Sequence, residues 1–230
     1  MAITVVNEED TSYAELTTPR SSGSFDVLVD DLIVIIGHLR LEDTTLGNPT
    51  NSGTAFTWTL HQTAKDGTGN QVYLWSARAI AAQSMTVTLT QSAATRVWGF
   101  NRVTLRGTGG AGASAKTSAA GSGIPSLALT TTRPGSAIIF SINDDAAVDA
   151  SASRVYLTDA GTVTELNYVR VATSETIYHA INIGTIGIGA HTVGLSAPTG
   201  QDYHIVALEI LLPHTKRPGF GAHMSGGLAT

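Results

Sequence analysis

The residue types that could carry chemistry are scattered, and the acidic ones stand beside strand-like segments. Asp30–Asp31 directly precedes an apolar run, where aspartate is a common turn residue, so we favour a structural role over catalysis or calcium binding. The segment NDDAAVD offers Asn143, Asp145 and Asp149 as oxygen ligands for a hard cation. It lacks the glycine and the bidentate glutamate of an EF-hand loop. We therefore favour a solvated loop and predict no bound metal.

The sequence also contains no motif for histidine, serine or cysteine chemistry. The chain has seven histidines and no cysteine, which excludes disulfides, thiolate catalysis and cysteine-ligated zinc. No histidines form H-x-H, H-E-x-x-H or zinc-finger spacing, and G-x-S-x-G is absent. His61 and His204 lie in predicted strands, where a hydrogen-bonded packing role is more common. GTGGAGA (Gly107–Ala113) lacks the Lys-Ser/Thr that ends a phosphate loop. We predict that the chain is not an enzyme and has no cofactor.

The aromatic residues suggest a sugar-binding alternative. Exposed aromatic faces can stack on sugar rings, whereas aromatic residues inside strands usually belong to the core. Trp75 and Trp98 lie in predicted strands and are expected in the core. Tyr156 and Tyr168 lie closer to predicted loops, so we name these two as candidate contacts for a host-surface glycan.

The charge composition restricts the kinds of partner. Charged residues make up 13% of the chain and the formal net charge is −5, so the clustered Lys and Arg of a nucleic-acid-binding module are missing. No apolar run has the length needed to cross a bilayer, and the first residues lack the basic region of a signal peptide. A weakly charged surface rich in hydroxyls is compatible with close packing against copies of itself. We therefore expect a homo-oligomer, with neither nucleic acid nor membrane as a partner.

The periodicity of the chain is that of short strands. Apolar runs alternate with Gly, Asn, Asp, Pro and Ser, and no helical pattern stands out. Ala64–Asn70 carries Asp-Gly and Gly-Asn pairs, which predict a hairpin between Thr57–His61 and Val72–Ala77. Ile33–Ile36 and Ile205–Leu212 are apolar at nearly every position, as in strands that are buried on both faces. The fold class predicted is all-β, an antiparallel, jelly-roll-like β-sandwich.

The second half of the chain weakly repeats the first. Asp30–Ile36 matches Gly135–Ile142 at an offset of 105 residues, and two later blocks match at an offset of 106. The later blocks are Met85–Leu89 with His191–Leu195, and Val97–Leu105 with Tyr203–Leu211. The spacing predicts one β-rich plan used twice within a single joint sandwich.

This pattern defines a domain organisation. We predict an N-terminal arm over residues 1–24 and a β-sandwich over 25–213. Its two repeats, 25–106 and 127–213, are joined by a Gly/Ala/Ser linker over 107–126, because that segment has no apolar residue larger than alanine before Ile124. Residues 214–230 are Gly-rich and are expected to form a flexible C-terminal tail.

The order of these segments resembles a known family. The chain runs from DDLIVIIG through FTWTLHQTAKDGTGNQVYLWSARA and TVTL to VTLRG, and after the small-residue join a second round ends in IVALEILLP. This order of segments is similar to that of minor tail and other virion structural proteins of tailed bacteriophages. The resemblance covers Phe25 to Pro213. It implies a non-enzymatic, oligomeric β-sandwich that is made in the host cytoplasm and incorporated in the virion. It supplies no catalytic residue.

Three functions follow as hypotheses. The first is a structural virion protein, either associated with the tail or its fibres or decorating the capsid, whose partners are other virion proteins. In it, Met1–Pro19 and His214–Thr230 would be arms that order on docking. The second is a carbohydrate-binding module that recognises host-surface glycans. The third, a hydrolase with a dispersed acidic pair, has no pair of residues to support it.

Overall fold

The protein is built from strands. The computed structural model describes residues 2–11, 13–16, 19–40, 44–65, 69–92, 96–145, 153–171 and 175–213, and these residues contain no helix. The all-β, antiparallel prediction is confirmed. In chain order the strands are β1 (Thr4–Asp10), β2 (Ala14–Leu16), β3 (Arg20–Ser21), β4 (Phe25–Val27), β5 (Leu32–Leu39), β6 (Thr50–Asn51), β7 (Thr59–Ala64), β8 (Gln71–Arg78), β9 (Gln83–Met85), β10 (Val87–Leu89), β11 (Arg96–Arg106), β12 (Gly110–Gly123), β13 (Ser126–Thr131), β14 (Ser136–Asp144), β15 (Val155–Thr158), β16 (Thr162–Val171), β17 (Glu175–Ile186), β18 (Gly189–Ala197) and β19 (Gln201–Leu211).

The strands of each half form their own sheets. The large sheet of the first half has the order β1-β11-β5-β8-β7, with β2 also paired to β11, and that of the second half has the order β12-β19-β14-β17-β16. Matched in chain order, the two five-strand orders are the same. The smaller sheets are β3-β10-β6 and β4-β9 in the first half and β13-β18-β15 in the second. Among the described residues no sheet joins the halves, so the expected single joint sandwich is replaced by two. The jelly-roll assignment stays a prediction.

In the part of the chain that the structure describes, three buried cores hold four layers of sheet together. In the first half, Ile33, Ile35, Trp75, Trp98 and Phe100 of the large sheet pack with Phe25, Met85, Val87 and Leu89 of the small sheets. In the second half, Ile138, Phe140, Ile142 and Tyr178 pack with Leu127, Leu129, Val193 and Leu195. The third core lies between the two large sheets and includes Leu32, Val34, Ile36, Leu105, Ala137, Ile139, Val206, Leu208 and Ile210. The molecule is therefore a first sandwich and a second sandwich packed back to back, and the third core is their central interface.

Strand β5 shows how the sequence produces this arrangement. Successive side chains of a strand point to opposite faces, so a strand that lies between two cores must be apolar at both parities. Ile33 and Ile35 enter the core of the first sandwich, whereas Leu32, Val34 and Ile36 enter the central interface. All eight residues of β5 are buried, as expected of a continuous apolar run.

The central interface has two distinct ends. β5 and β14 both finish where His38 contacts Ser141 and Asn143, and we call this the His38 end. Both strands begin at the opposite end, beside the turn of Leu28–Asp31, which we call the Leu28 end. The turns that precede the two strands also agree, because Asp30 and Gly135, 105 residues apart, have φ values of 74° and 75°.

The Gly/Ala/Ser segment is a strand rather than a flexible linker. Gly110–Gly123 pairs with β19 along its length, with register shifts between Ala111 and Ser114 and between Ala119 and Gly123. The prediction rested on the absence of large side chains that could bury a core. An edge strand needs none, because the ladder of backbone hydrogen bonds to a buried neighbour holds it in place.

The other boundary predictions have mixed outcomes. The proposed N-terminal arm is wrong for its described residues, because Thr4–Asp10 pairs with β11 and Arg20–Ser21 pairs with β10. Polar residues do not prevent this pairing, since an edge strand can expose one face to solvent. The hairpin of β7 with β8 is confirmed. The predicted C-terminal tail, 214–230, lies outside the described residues.

Candidate functional site

The two candidate glycan contacts lie together on the second sandwich. The Tyr156 hydroxyl donates a hydrogen bond to Oε2 of Glu165 at 2.8 Å, and the Arg154 guanidinium lies 4.2 Å from the centre of the Tyr168 ring. Arg154 also donates to both carboxylate oxygens of Glu165, at 2.5 and 2.6 Å. These four side chains form one group, the tyrosine cluster.

The tyrosine cluster offers sugar-type contacts that are already partly used within the protein. Burial, and then the hydrogen bond to Glu165, raise the pKa of Tyr156, so its hydroxyl remains a donor. The hydrogen bonds from Arg154 lower the pKa of Glu165, so the carboxylate remains charged. The guanidinium covers one face of Tyr168, and that face is closed to a sugar ring while Arg154 stays there. Sequence reasoning found the tyrosines and missed both charged residues, although they lie next to the same strands.

The acidic pair before β5 is bound to arginine. Arg106 donates to both oxygens of Asp31 at 2.8 and 2.7 Å, and the Leu28 amide donates to Asp31 Oδ2 at 2.8 Å. Asp30 lies in the turn with positive φ, a conformation that aspartate tolerates, and pairs with Arg78 at 3.0 Å. Each carboxylate therefore has a structural partner, in agreement with the turn interpretation.

An exposed apolar surface surrounds this pair at the Leu28 end. Leu28, Val29 and Ile80 are 50%, 55% and 65% exposed. Backbone hydrogen bonds between Asp30 and Ala79 and between Ala79 and Asp31, both 2.8 Å, hold the two loops together. A cavity of about 300 Å³ opens beside them and is lined by the Leu28–Asp31 turn with Arg78, Arg106, Gly107, Thr108 and Pro213.

A buried polar cluster occupies the His38 end of the central interface. Ser141 donates its hydroxyl hydrogen to the Tyr178 carbonyl at 3.1 Å, so its oxygen must accept from Nε2 of His38, which is 3.0 Å away. His38 Nδ1 is then the acceptor for the Asn143 amide at 3.4 Å. The second hydrogen of that amide goes to Glu175 Oε2 at 2.6 Å. The network assigns His38 as a neutral imidazole.

The remaining members of the polar cluster lie around this network. Asn70 donates from its side chain to Asn143 Oδ1 at 3.3 Å and from its backbone to Asp145 Oδ2 at 3.1 Å. The centres of the His38 and His179 rings are 5.0 Å apart. His204 lies 3.0 Å from the Ser118 hydroxyl through Nδ1 and 3.4 Å from Asp145 Oδ2 through Nε2.

Burial shifts the titration of this cluster strongly. Loss of solvent lowers the pKa of His179 to about 3, and burial with two neighbouring histidines lowers the pKa of His38 well below its usual value. Burial raises the pKa of Glu175 to about 7. Each shift favours the uncharged form, because water is excluded and few opposite charges replace it.

The solvated-loop interpretation of Asn143–Asp149 is wrong for Asn143, which is fully buried in β14 where the two sandwiches pack together. Asn143 is the centre of the buried network and Asp145 accepts hydrogen bonds, while Asp149 lies outside the described residues. The part of the chain that the structure describes holds no group of three His, Asp or Glu placed to bind a metal. In the sequence, His38 and His179 are two of seven histidines without motif spacing, and their contact was not predicted, because a histidine within an apolar strand was the one available signal.

Comparisons with known proteins leave the geometry as the basis for function. No family model, no curated protein and no solved structure matches this chain. No helix among the described residues is long and apolar enough to span a membrane.

Proposed function

We propose that this chain is a non-enzymatic structural subunit of a tailed-bacteriophage virion, associated with the tail or its fibres or decorating the capsid. The observation that carries the proposal is the exposed apolar surface at the Leu28 end. Leu28, Val29 and Ile80 together expose large aliphatic side chains, with Asp30 and Arg78 at their rim. An apolar patch with a polar rim is typical of a protein–protein interface. The kind of particle comes from the resemblance in strand and turn pattern.

The turn that carries this surface is held in one conformation. The Asp31 amide donates to the Leu28 carbonyl at 3.1 Å, and the buried Asp31 carboxylate accepts from Leu28 and Arg106. A surface presented by a fixed turn loses little conformational entropy on binding. This property suits a subunit that must dock repeatedly in one geometry.

The edges of the large sheets offer a second means of assembly. The outer strands of the large sheets are β1 and β7 in the first sandwich and β12 and β16 in the second. Unpaired backbone groups along such edges can accept a strand from another chain. The partners we propose are copies of this chain and other virion proteins.

Variant particles test the proposal. Replacing Leu28, Val29 and Ile80 by serine removes the apolar surface and leaves the backbone bonds of the turn in place. We expect the amount of chain in purified particles, measured by quantitative mass spectrometry against the major capsid protein, to fall about tenfold or more, as loss of about 1.4 kcal/mol of docking energy requires. Val155→Ser, which changes a residue 54% exposed at the opposite end, is the matched control and should be incorporated normally. Normal incorporation of the triple variant, or absence of the unaltered chain from particles, would contradict the proposal.

The tyrosine cluster supports a second candidate function, recognition of a host-surface glycan. Phenol, guanidinium and carboxylate groups at Tyr156, Arg154 and Glu165 are suitable partners for sugar hydroxyls. Binding should quench tyrosine fluorescence and give a glycan-array signal that Tyr156→Phe and Tyr168→Ala weaken. An array without signal for the unaltered protein would remove this candidate.

A further inference from the structure

The polar cluster is the place where the two sandwiches are held together by groups that can change their charge. His38 comes from the first sandwich, whereas Ser141, Asn143 and His179 come from the second. All four side chains are fully buried. Toward the Leu28 end the same interface is aliphatic. One interface therefore has a part that cannot titrate and a part that can.

The hydrogen-bond network has no place for a second proton on His38. Its Nδ1 faces the Asn143 amide, which donates to it. The orientation of that amide is fixed from two sides, because Asn143 also donates to Glu175 and accepts from Asn70. A protonated Nδ1 would place one donor against another. Protonation of His38 thus breaks the contact between the sandwiches on geometric grounds.

His179 is still less able to hold a proton. Neither of its ring nitrogens has a hydrogen-bond partner among the described residues, and its ring packs against His38. An imidazolium buried without a partner is strongly unfavourable. The titratable and charged groups that act on this region come from every element around it: Asp10, Tyr13 and Arg20 from the N-terminal strands, Arg40 after β5, Asp145 after β14, Glu175 on β17 and His204 on β19.

We propose that the polar cluster is an acid-sensitive latch, and that protonation of His38 and His179 separates the two sandwiches at the His38 end while the aliphatic part of the interface keeps them joined. Each sandwich retains its own core during this opening, because those cores contain none of the latch residues.

The direction of the pH response follows from the shifts in the closed form. The pKa of His179 is about 3 in the closed protein and rises toward its ordinary value of 6.5 when water reaches the ring. The histidines of the open form therefore gain protons first, and their contribution to the stability of the closed form falls as pH drops from about 6.5 toward 3. Glu175 and Asp10 act in the opposite direction, because burial raises the pKa of Glu175 to about 7 and that of Asp10 to about 6, and carboxyls that are protonated first in the closed form stabilise it as pH falls. Below their ordinary pKa values of 4.5 and 3.8 these two carboxyls are neutral in both forms, so the histidines alone still drive opening there.

A distance measurement across the four layers tests the latch. The chain contains no cysteine, so Thr90→Cys and Val155→Cys place two dyes uniquely on exposed positions of the outer sheets near the His38 end. Energy transfer between the dyes reports separation, and far-UV circular dichroism on the same samples reports whether the strands persist. In a titration from pH 7.5 to 3 we expect energy transfer to fall below about pH 4.5, where the opposing carboxyls are protonated in both forms, while the β signal is retained.

His179→Leu is the decisive variant. It removes a titrating group that has no hydrogen bond to lose, so the protein should fold, and the midpoint of the distance change should move down by roughly one pH unit. His191→Gln, at a histidine in the outer sheet of the second sandwich, should leave the midpoint unchanged. The latch is wrong if the distance stays constant until the β signal is lost, or if His179→Leu leaves the midpoint in place.

Discussion

The two ends of the central interface join the same pair of sheets by different chemistry. At the Leu28 end, aliphatic side chains such as Val34 and Ile139 exclude water and carry no charge. At the His38 end, His38, Asn143 and Glu175 satisfy one another through hydrogen bonds. Aliphatic burial contributes stability at any pH, whereas a polar network contributes only in one protonation state. The aliphatic part of the interface therefore supplies stability that does not depend on pH, whereas the polar part makes the stability of the interface depend on pH.

The largest effect should come from the aliphatic end. Ile139→Ala removes buried methyl and methylene groups at the centre of a packed interface, and it should lower the free energy of unfolding by about 2–5 kcal/mol. Urea denaturation measures the change. The control is Val155→Ala at a position that is 54% exposed, which should alter stability by less than about 0.5 kcal/mol. A loss below about 1 kcal/mol for Ile139→Ala would show that the sandwiches barely depend on their contact.

Much of the arrangement that positions these groups could be predicted from the sequence. The run LIVIIGHL is apolar at both parities, which predicts a strand between two cores. The bounds of β11 and β19 lie 105 residues apart, one residue less than the offset of 106 that the sequence predicts for this block. The four-layer packing could not be predicted, because a run buried on both faces does not reveal what covers its second face. The strand Gly110–Gly123 was missed since its stability comes from β19 rather than from its own side chains.

The polar cluster was hidden for a related reason. His38, Asn143 and Glu175 are far apart in the sequence and follow no motif spacing, so only the packing of the sandwiches brings them together. The tyrosine pair was accessible because aromatic residues next to loops are a local signal. Arg154 was not, since its position over Tyr168 depends on how two strands face each other.

A second prediction compares two buried glutamates. Burial alone would raise the pKa of Glu209, but hydrogen bonds from Ala113, Thr132 and Ser136 lower it below its usual value. Glu209→Gln should therefore lower the free energy of unfolding by roughly 1–3 kcal/mol at neutral pH, because a neutral amide accepts fewer of these bonds. The cost should shrink as pH falls through the lowered pKa, where the native carboxylate itself becomes protonated.

Glu175→Gln is the matched comparison at the His38 end. The pKa of Glu175 is raised to about 7, so the native protein loses stability as pH rises from 4.5 through 7. The glutamine variant lacks this loss and should become more stable than the unaltered chain above pH 7. Denaturation curves from pH 5 to 9 measure both variants. If the free energies of unfolding of the two variants depended on pH in the same way, the environments of the two carboxyls would not differ in the way that their contacts indicate.

The smallest effect should come from the ion pair at the rim of the Leu28 end. Arg78 and Asp30 are 3.0 Å apart, and their side chains are 50% and 65% exposed. Solvent screens such a pair, so Arg78→Ala should lower the free energy of unfolding by no more than about 1 kcal/mol, and the difference should diminish in high salt.

Arg106→Ala is the sharper comparison, because Asp31 is buried and would keep only the Leu28 amide. Thermal unfolding at low and high salt measures both variants, and a larger loss for Arg78→Ala than for Arg106→Ala would contradict this ranking. The order bears on the proposed docking surface, since the Asp31 contacts fix the turn that presents Leu28 and Val29, while the Arg78 pair only borders it.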